Sequence, residues 1–151
     1  ADSNHLTQPT KTGPAQAMQR ALADAELTLE NIDYINAHAT GTEWNEKNET
    51  AAIKEVFGEH AYGIPVSGNK AALGHSIAGS GALELIGCVL SLRDQVIPPT
   101  LNYKILDPEC DLDYVTNGKR SATLKNIMSN SFAFGGSNAV LIVGKYEENP
   151  Q

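Results

Sequence analysis

Cysteine, large aromatics and positive charge are all in short supply in this chain. Its 151 residues include two Cys, one Trp, three Phe and five Tyr. Two thiols, Cys88 and Cys110, form neither a disulfide framework nor a metal cluster, so a reducing, cytoplasmic setting (or an organelle matrix) is the expectation. Eleven Lys and Arg face 18 Asp and Glu, and a net charge of −7 argues against a nucleic-acid-binding face. No apolar run reaches the length of a membrane-spanning helix. The opening ADSNHLTQPTKTG is polar and loop-like, with no apolar core of a signal peptide. What remains is 41% hydrophobic residues and 13 Gly, enough to pack the core of one ordinary domain.

Periodicity then orders the elements. Gly13-Pro14 opens a helix over Ala15–Leu27, with Met18, Ala21, Leu22 and Ala25 at helical spacing. Ile32–Ala37 reads as a strand. Glu46–Phe57 is a helix stopped at Gly58, and Ile64–Ser67 is a short strand. After a Gly-rich passage, Ala82–Leu92 is the most apolar segment and reads as a buried helix. Residues 102–125 are mostly loop with one short strand, and Asn126–Phe132 and Ala139–Tyr146 form a hairpin across Gly135-Gly136-Ser137-Asn138. This order predicts an α/β fold, a mixed five-stranded sheet with helices on both faces.

Polar residues gather where strands end, which is where open α/β sheets bind ligands. The three places are Asn36–Thr42, Asn69–His75 and Ser131–Asn138. Singly, each has a structural explanation: a satisfied histidine, a solvated lysine, glycines needed for a turn. Together they bring two His and one Lys to the same side of the sheet, beside hydroxyls and a Gly-rich loop. Other motifs fail. Gly63 and Gly68 frame a near-match to a phosphate loop, but Asn69 stands where Lys is required and Ala71 where Ser or Thr is. The sequon Asn48-Glu49-Thr50 falls inside a predicted helix, and neither Cys has the setting of a reactive thiolate.

INAHATGT, NKAALGHSIAGSGALE, VIPPTLNY, DLDYV and SNSFAFGGSNAVL, in this order from about Ser3 to Tyr146, resemble the C-terminal half of an elongating β-ketoacyl-acyl-carrier-protein synthase. Those enzymes have the thiolase-like fold and carry out decarboxylating condensation in fatty-acid or polyketide synthesis. The resemblance implies that His38 and His75 are the decarboxylating pair, with Lys70 in support and Glu49 as its acidic partner. It places an oxyanion-hole N–H and an acyl-pocket gate at Phe134, beside Gly135 and Gly136. Thr40 and Thr42 fall on the hydroxyls that bind the phosphopantetheine arm, and Asn36, Glu84, Ser129 and Asn130 on the ligands of a structural Na or K ion.

No required cofactor is implied beyond the phosphopantetheine of an acyl carrier protein. That carrier, the N-terminal half of the same enzyme and a second copy of the whole enzyme are the implied partners. The family's Cys nucleophile belongs to the N-terminal half, which has no counterpart in this sequence, so the isolated chain is expected to be inactive in condensation. A helix such as Ala82–Leu92 is expected to lie between the two halves. Two departures stand out. Ala39 occupies the commoner Gly position of the first His motif, and Ser67-Gly68-Asn69 replaces the usual Ser/Thr pair before Lys70, which is expected to loosen that loop. A non-catalytic partner akin to a chain-length factor is the competing reading, and intact His38, Lys70 and His75 weigh against it.

Overall fold

The structure, a computed structural model, describes residues 10–146. Part of the polar opening segment, residues 1–9, lies outside this range, as do residues 147–151.

Helix α1 spans Thr12–Asp24, so Pro14 falls in the first turn, where its missing N–H is no loss. Strand β1 is Tyr34–Asn36. Helix α2 is Glu43–Phe57, three residues longer at its start than its apolar stripe suggests, because Thr42 caps it by accepting from Asn45 N. Gly58 ends it at φ +55°, a left-handed stop. Strand β2 is Val66–Ser67, followed by one helical turn, α3, at Lys70–Leu73. Helix α4 is Ser80–Asp94, and strands β3 (Val96–Ile97) and β4 (Arg120–Ser121) pair antiparallel. Strands β5 (Asn126–Ala133) and β6 (Ser137–Gly144) close the chain as a hairpin. Its turn is Phe134–Gly136, and Ser137 and Asn138, expected in the loop, already pair in β6.

The main sheet has four strands in the order β2-β1-β5-β6, not five. β1 runs parallel to both β2 and β5, and β6 is antiparallel to β5. The fifth position exists only as a single parallel bridge, Val66↔Tyr114, closed by Val66 N→Asp113 O and Val115 N→Val66 O. The Asp- and Pro-containing stretch around it cannot continue a ladder. The short strand expected within residues 102–125 is β4, which leaves the main sheet to pair with β3.

Side chains alternate across the strands. Ile35, Val66 and Met128 point to one face, where they meet Met18 and Leu22 of α1 and Ile53 and Val56 of α2. Tyr34 and Ile127 point to the other and meet Cys88 and Leu92 of α4. Helices therefore cover both faces.

α4 departs from the expectation of a fully buried helix. Its sheet-facing side carries Ser80, Glu84, Cys88 and Ser91, all buried, while Leu83, Ile86, Val89 and Leu90 are 41–56% exposed. The helix is apolar on the outside and mixed toward the sheet, where Leu92 packs in the core beside these polar residues. Among the described residues, no helix is long and apolar enough to cross a membrane.

Candidate active site

The three parallel strands end on one edge, and each delivers part of a cluster there. β1 runs through Asn36 into His38, β2 through Ser67 into Lys70, and β5 carries Ser129, Asn130 and Phe132. α4 contributes Glu84 from below.

His38 is buried, and its peptide is tied to α2 by a carboxylate. Glu49 Oε1 accepts from His38 N (2.8 Å) and Asn130 Nδ2 (3.0 Å), while Oε2 accepts from Ala39 N (3.0 Å) and Asn45 Nδ2 (3.2 Å). Full burial raises the Glu49 pKa, and these donors oppose the rise. Glu49 is thus occupied in holding the His38 turn, and the pairing with Lys70 that the resemblance implies does not form. Glu84 takes that place. The Lys70 ammonium has three protons and three acceptors: Glu84 Oε1, His38 O (2.5 Å) and His38 Nδ1 (3.3 Å). The two side chains of the ion pair are 5% and 2% exposed, so neither charge has water as an alternative partner. Burial raises the Glu84 pKa, opposed by Lys70. Glu49 and Glu84 are easily confused in sequence because both sit on helices that follow a histidine turn. The polar stripe of α4, Ser80, Glu84 and Cys88 at four-residue spacing, is the signal that distinguishes them.

Because Lys70 donates to His38 Nδ1, the ring proton sits on Nε2. Burial first, then Lys70 and His75, push the His38 pKa down to about 3, so the ring is neutral at physiological pH. His75 arrives at the same tautomer by a different route: its Nδ1 accepts from Ile77 N (3.1 Å) and contacts Ser80 Oγ (3.0 Å), again leaving the proton on Nε2. The two rings are edge to face with centroids 5.8 Å apart. Phe132, inside the Ser131–Asn138 segment but without a role of its own there, lies 5.5 Å from the His38 ring and joins the hairpin to the site. Its place on β5, two residues short of the Gly-rich turn, is the signal for it.

Phe134 stands in the hairpin turn, 73% exposed, and Gly135 and Gly136 take φ of +76° and +73°, angles that glycine reaches without strain. The hydroxyls of Thr40 and Thr42 lie 2.9 Å apart on the exposed side of the His38 turn. Gly41 N between them is held by Glu46 Oε1 at 2.8 Å.

Beneath the histidines runs an amide chain: Asn69 Nδ2 donates to Asn36 Oδ1 (2.8 Å), and Asn36 Nδ2 to Ser129 Oγ (3.1 Å). Gly87 admits this chain, since a Cβ there would lie 2.9 Å from Asn69 Nδ2. The thiols take no part: burial raises Cys88 to about 11 and lifts Cys110 as well. Of the four residues suggested for a monovalent ion, three share the α4 face: Glu84 Oε2 is buried without a hydrogen-bond partner, and Asn36 Oδ1 and Ser129 Oγ each accept one bond and retain a lone pair. Asn130 lies on the opposite face, where its amide donates to Glu49 and Met18, so its side chain does not join them. Three such oxygens suit a hard monovalent cation.

This is part of the thiolase-like fold of the ketosynthases. The chain belongs to the beta-ketoacyl synthase family: residues 1–104 match the model of its C-terminal domain. Nodulation protein E of Rhizobium meliloti is 50% identical over 141 residues, covering 93% of this chain and 35% of that protein. 3-Oxoacyl-[acyl-carrier-protein] synthase 2 of Synechocystis is 43% identical over 148 residues, covering 97% of this chain and 36% of the other. The solved ishigamide ketosynthase/chain length factor superposes with a TM-score of 0.92 at 42% identity, over 97% of this chain and 36% of that one. The chain spans about a third of the length of the curated relatives it matches.

Proposed function

We propose that this chain forms the decarboxylating half of a 3-oxoacyl-[acyl-carrier-protein] synthase, an acyltransferase that condenses malonyl carrier protein with an acyl thioester. The observation that carries the reading is that His38 and His75 both have Nδ1 engaged, by Lys70 and by Ile77 N, which leaves Nε2–H of each to donate, with the rings 5.8 Å apart. Two N–H donors aimed at one thioester oxygen stabilise the charge that grows there as carbon dioxide departs. The bond between the malonyl carboxylate carbon and the α-carbon breaks, and its electron pair moves into the enolate. The enolate carbon then attacks the acyl carbonyl, and the thiolate that carried the acyl group leaves.

The neutral His38 ring suits this step, because a donor that keeps its proton holds the enolate without quenching it. Lys70 and Glu84 are positioning residues: they fix the His38 tautomer and ring. Glu49 holds the peptide of the same turn. Phe134 N–H, with the φ-positive Gly135 and Gly136 beside it, faces the oxygen of the acyl group under attack, and the Phe134 ring gates the acyl pocket. Thr40 and Thr42 bind the phosphopantetheine arm of the carrier protein, a partner that the Synechocystis relative carries in its name. Asn36, Glu84 and Ser129 would hold a structural Na or K ion, whose charge would offset that of Glu84; the Asn130 side chain, on the opposite face, would not. The Cys nucleophile belongs to an N-terminal half of the parent enzyme, which packs on the exposed Leu83, Ile86, Val89 and Leu90 of α4; the whole enzyme is a homodimer in the cytoplasm or an organelle matrix.

The test is made in the enzyme that contains this chain. His75→Ala and His38→Ala should each lower malonyl decarboxylation by about two orders of magnitude or more, and the chain by itself should not elongate an acyl group. Decarboxylation at the parental rate in either variant would sink the roles assigned to the two histidines. The ishigamide neighbour is by name a ketosynthase/chain length factor, which favours a second reading as a non-catalytic partner. The complete His38, Lys70, His75 set supports the enzyme instead, and a Cys in the nucleophile turn of the parent decides between them.

A further inference from the structure

Residues 39 and 68 are occupied contrary to their own backbones. Ala39 sits at φ +41°, in the left-handed region that glycine adopts freely and alanine does not. Gly68 has no positive φ, so nothing in its backbone asks for glycine. Yet a Cβ built on Gly68 would lie 2.4 Å from the Ala39 Cβ. The next atoms it would meet, Ala39 Cα and O, are at 3.8 and 3.9 Å, ordinary contact distances. The obstruction is one methyl group.

Each residue adjoins a functional turn. His38 precedes Ala39, and both of their peptide N–H groups are pinned by Glu49. Gly68 N is held by Thr100 Oγ1 at 3.2 Å, and Lys70 follows two residues later. Lys70 then reaches across to His38 O and Nδ1. We infer that Ala39 and Gly68 are a mutually dependent positioning pair: the Ala39 methyl occupies the space of a side chain at 68 and sets the gap across which Lys70 grips His38. The glycine that was expected to loosen the Lys70 loop is instead closed against the neighbouring turn. Because the Ala39 peptide is anchored to a buried carboxylate and Gly68 to Thr100, neither turn yields cheaply to an added carbon.

The consequence is a strongly non-additive exchange. Gly68→Ala in the chain as it stands should lower the thermal unfolding midpoint by about 5 °C or more. In the Ala39→Gly background the same substitution should move it by less than about 2 °C. His38 reports the positioning itself. Followed by imidazole ¹⁵N NMR at pH 7, the His38 ring signals should move away from those of the parent chain in Gly68→Ala, as the Lys70 contact to Nδ1 is lost, and return to them in Ala39→Gly/Gly68→Ala. Should Gly68→Ala fail to fold, folding of the double variant with parental His38 ring signals carries the same meaning. Equal effects of Gly68→Ala in both backgrounds overturn the pairing, and so does a double variant that fails to fold or leaves the His38 ring signals displaced. The catalytic meaning of the pair rests on the proposed reaction, but neither readout needs turnover, so the failure of one is distinguishable from the failure of the other.

Discussion

The turn after β1 and the turn after β2 each carry one histidine, and they are built differently. The His38 turn is buried: its peptides are tied to Glu49, its Nδ1 to Lys70, and its ring lies against Phe132. The His75 turn is exposed from Ala71 to Gly79, and its ring is oriented from within, by Ile77 N and Ser80 Oγ. Phe134 shares this openness. One donor of the proposed pair is therefore fixed by the chain's own core, while the other lies on a surface beside the bare apolar side of α4. The difference separates residues whose loss should destabilise the chain from residues whose loss should leave it folded.

The largest expected effect is at the buried ion pair. Lys70→Met leaves Glu84 as an uncompensated charge and should destabilise the chain by about 3–5 kcal/mol in denaturant unfolding. Lys70→Met/Glu84→Leu should recover most of that loss, since an apolar pair of similar volume replaces a desolvated one. A loss below about 1 kcal/mol for the single variant would show that water reaches Glu84 and that the two turns differ less than their burial implies.

Next comes Glu49→Gln, which keeps the shape but turns one acceptor into a donor facing N–H groups, at a cost of about 1–3 kcal/mol. Ser80→Ala, its counterpart in the other turn, should cost about 1 kcal/mol or less.

The pH dependence is third. Unfolded His38 takes a proton near its ordinary value of about 6.5, whereas folded His38 resists it down to about 3. Between those values the unfolded chain binds more protons, so this residue subtracts stability as pH falls. Glu49 and Glu84, both raised by burial, act in the opposite sense because they bind protons more readily when folded. His38→Gln should therefore flatten the acid side of the stability curve, by about 1 kcal/mol or more between pH 6.5 and 5. An unchanged slope would mean that His38 titrates normally. Smallest of all, His75→Ala and Phe134→Ala should each shift stability by about 0.5 kcal/mol or less, whatever they do to activity.

The hairpin, the parallel strands and both histidine turns are legible in the sequence, because periodicity and turn residues are local signals. Glycine punctuation ends α2 at Gly58 as expected, whereas its start, capped by Thr42, lies three residues ahead of the expected Glu46. Partnerships are harder to read. Whether Lys70 meets Glu49 or Glu84 depends on which helix passes beneath the turn, and that is a tertiary fact. α4 is legible in part. Its bare Leu83, Ile86, Val89 and Leu90 agree with a helix that lies between two halves, but the polar Ser80, Glu84 and Ser91 on its buried side, beside Cys88 and Leu92, are not foreseen from its apolar content. The role of Gly68 is hidden as well, since the methyl it accommodates lies 29 positions earlier in the chain.

Two histidines presenting Nε2–H together are the basis of the proposed chemistry, and imidazole ¹⁵N NMR of the chain at pH 7 observes them directly. Both His38 and His75 should show a protonated Nε2 and an unprotonated Nδ1, and Lys70→Met should disturb His38 alone. A His38 ring protonated on Nδ1, or carrying both protons, would contradict the proposed pair.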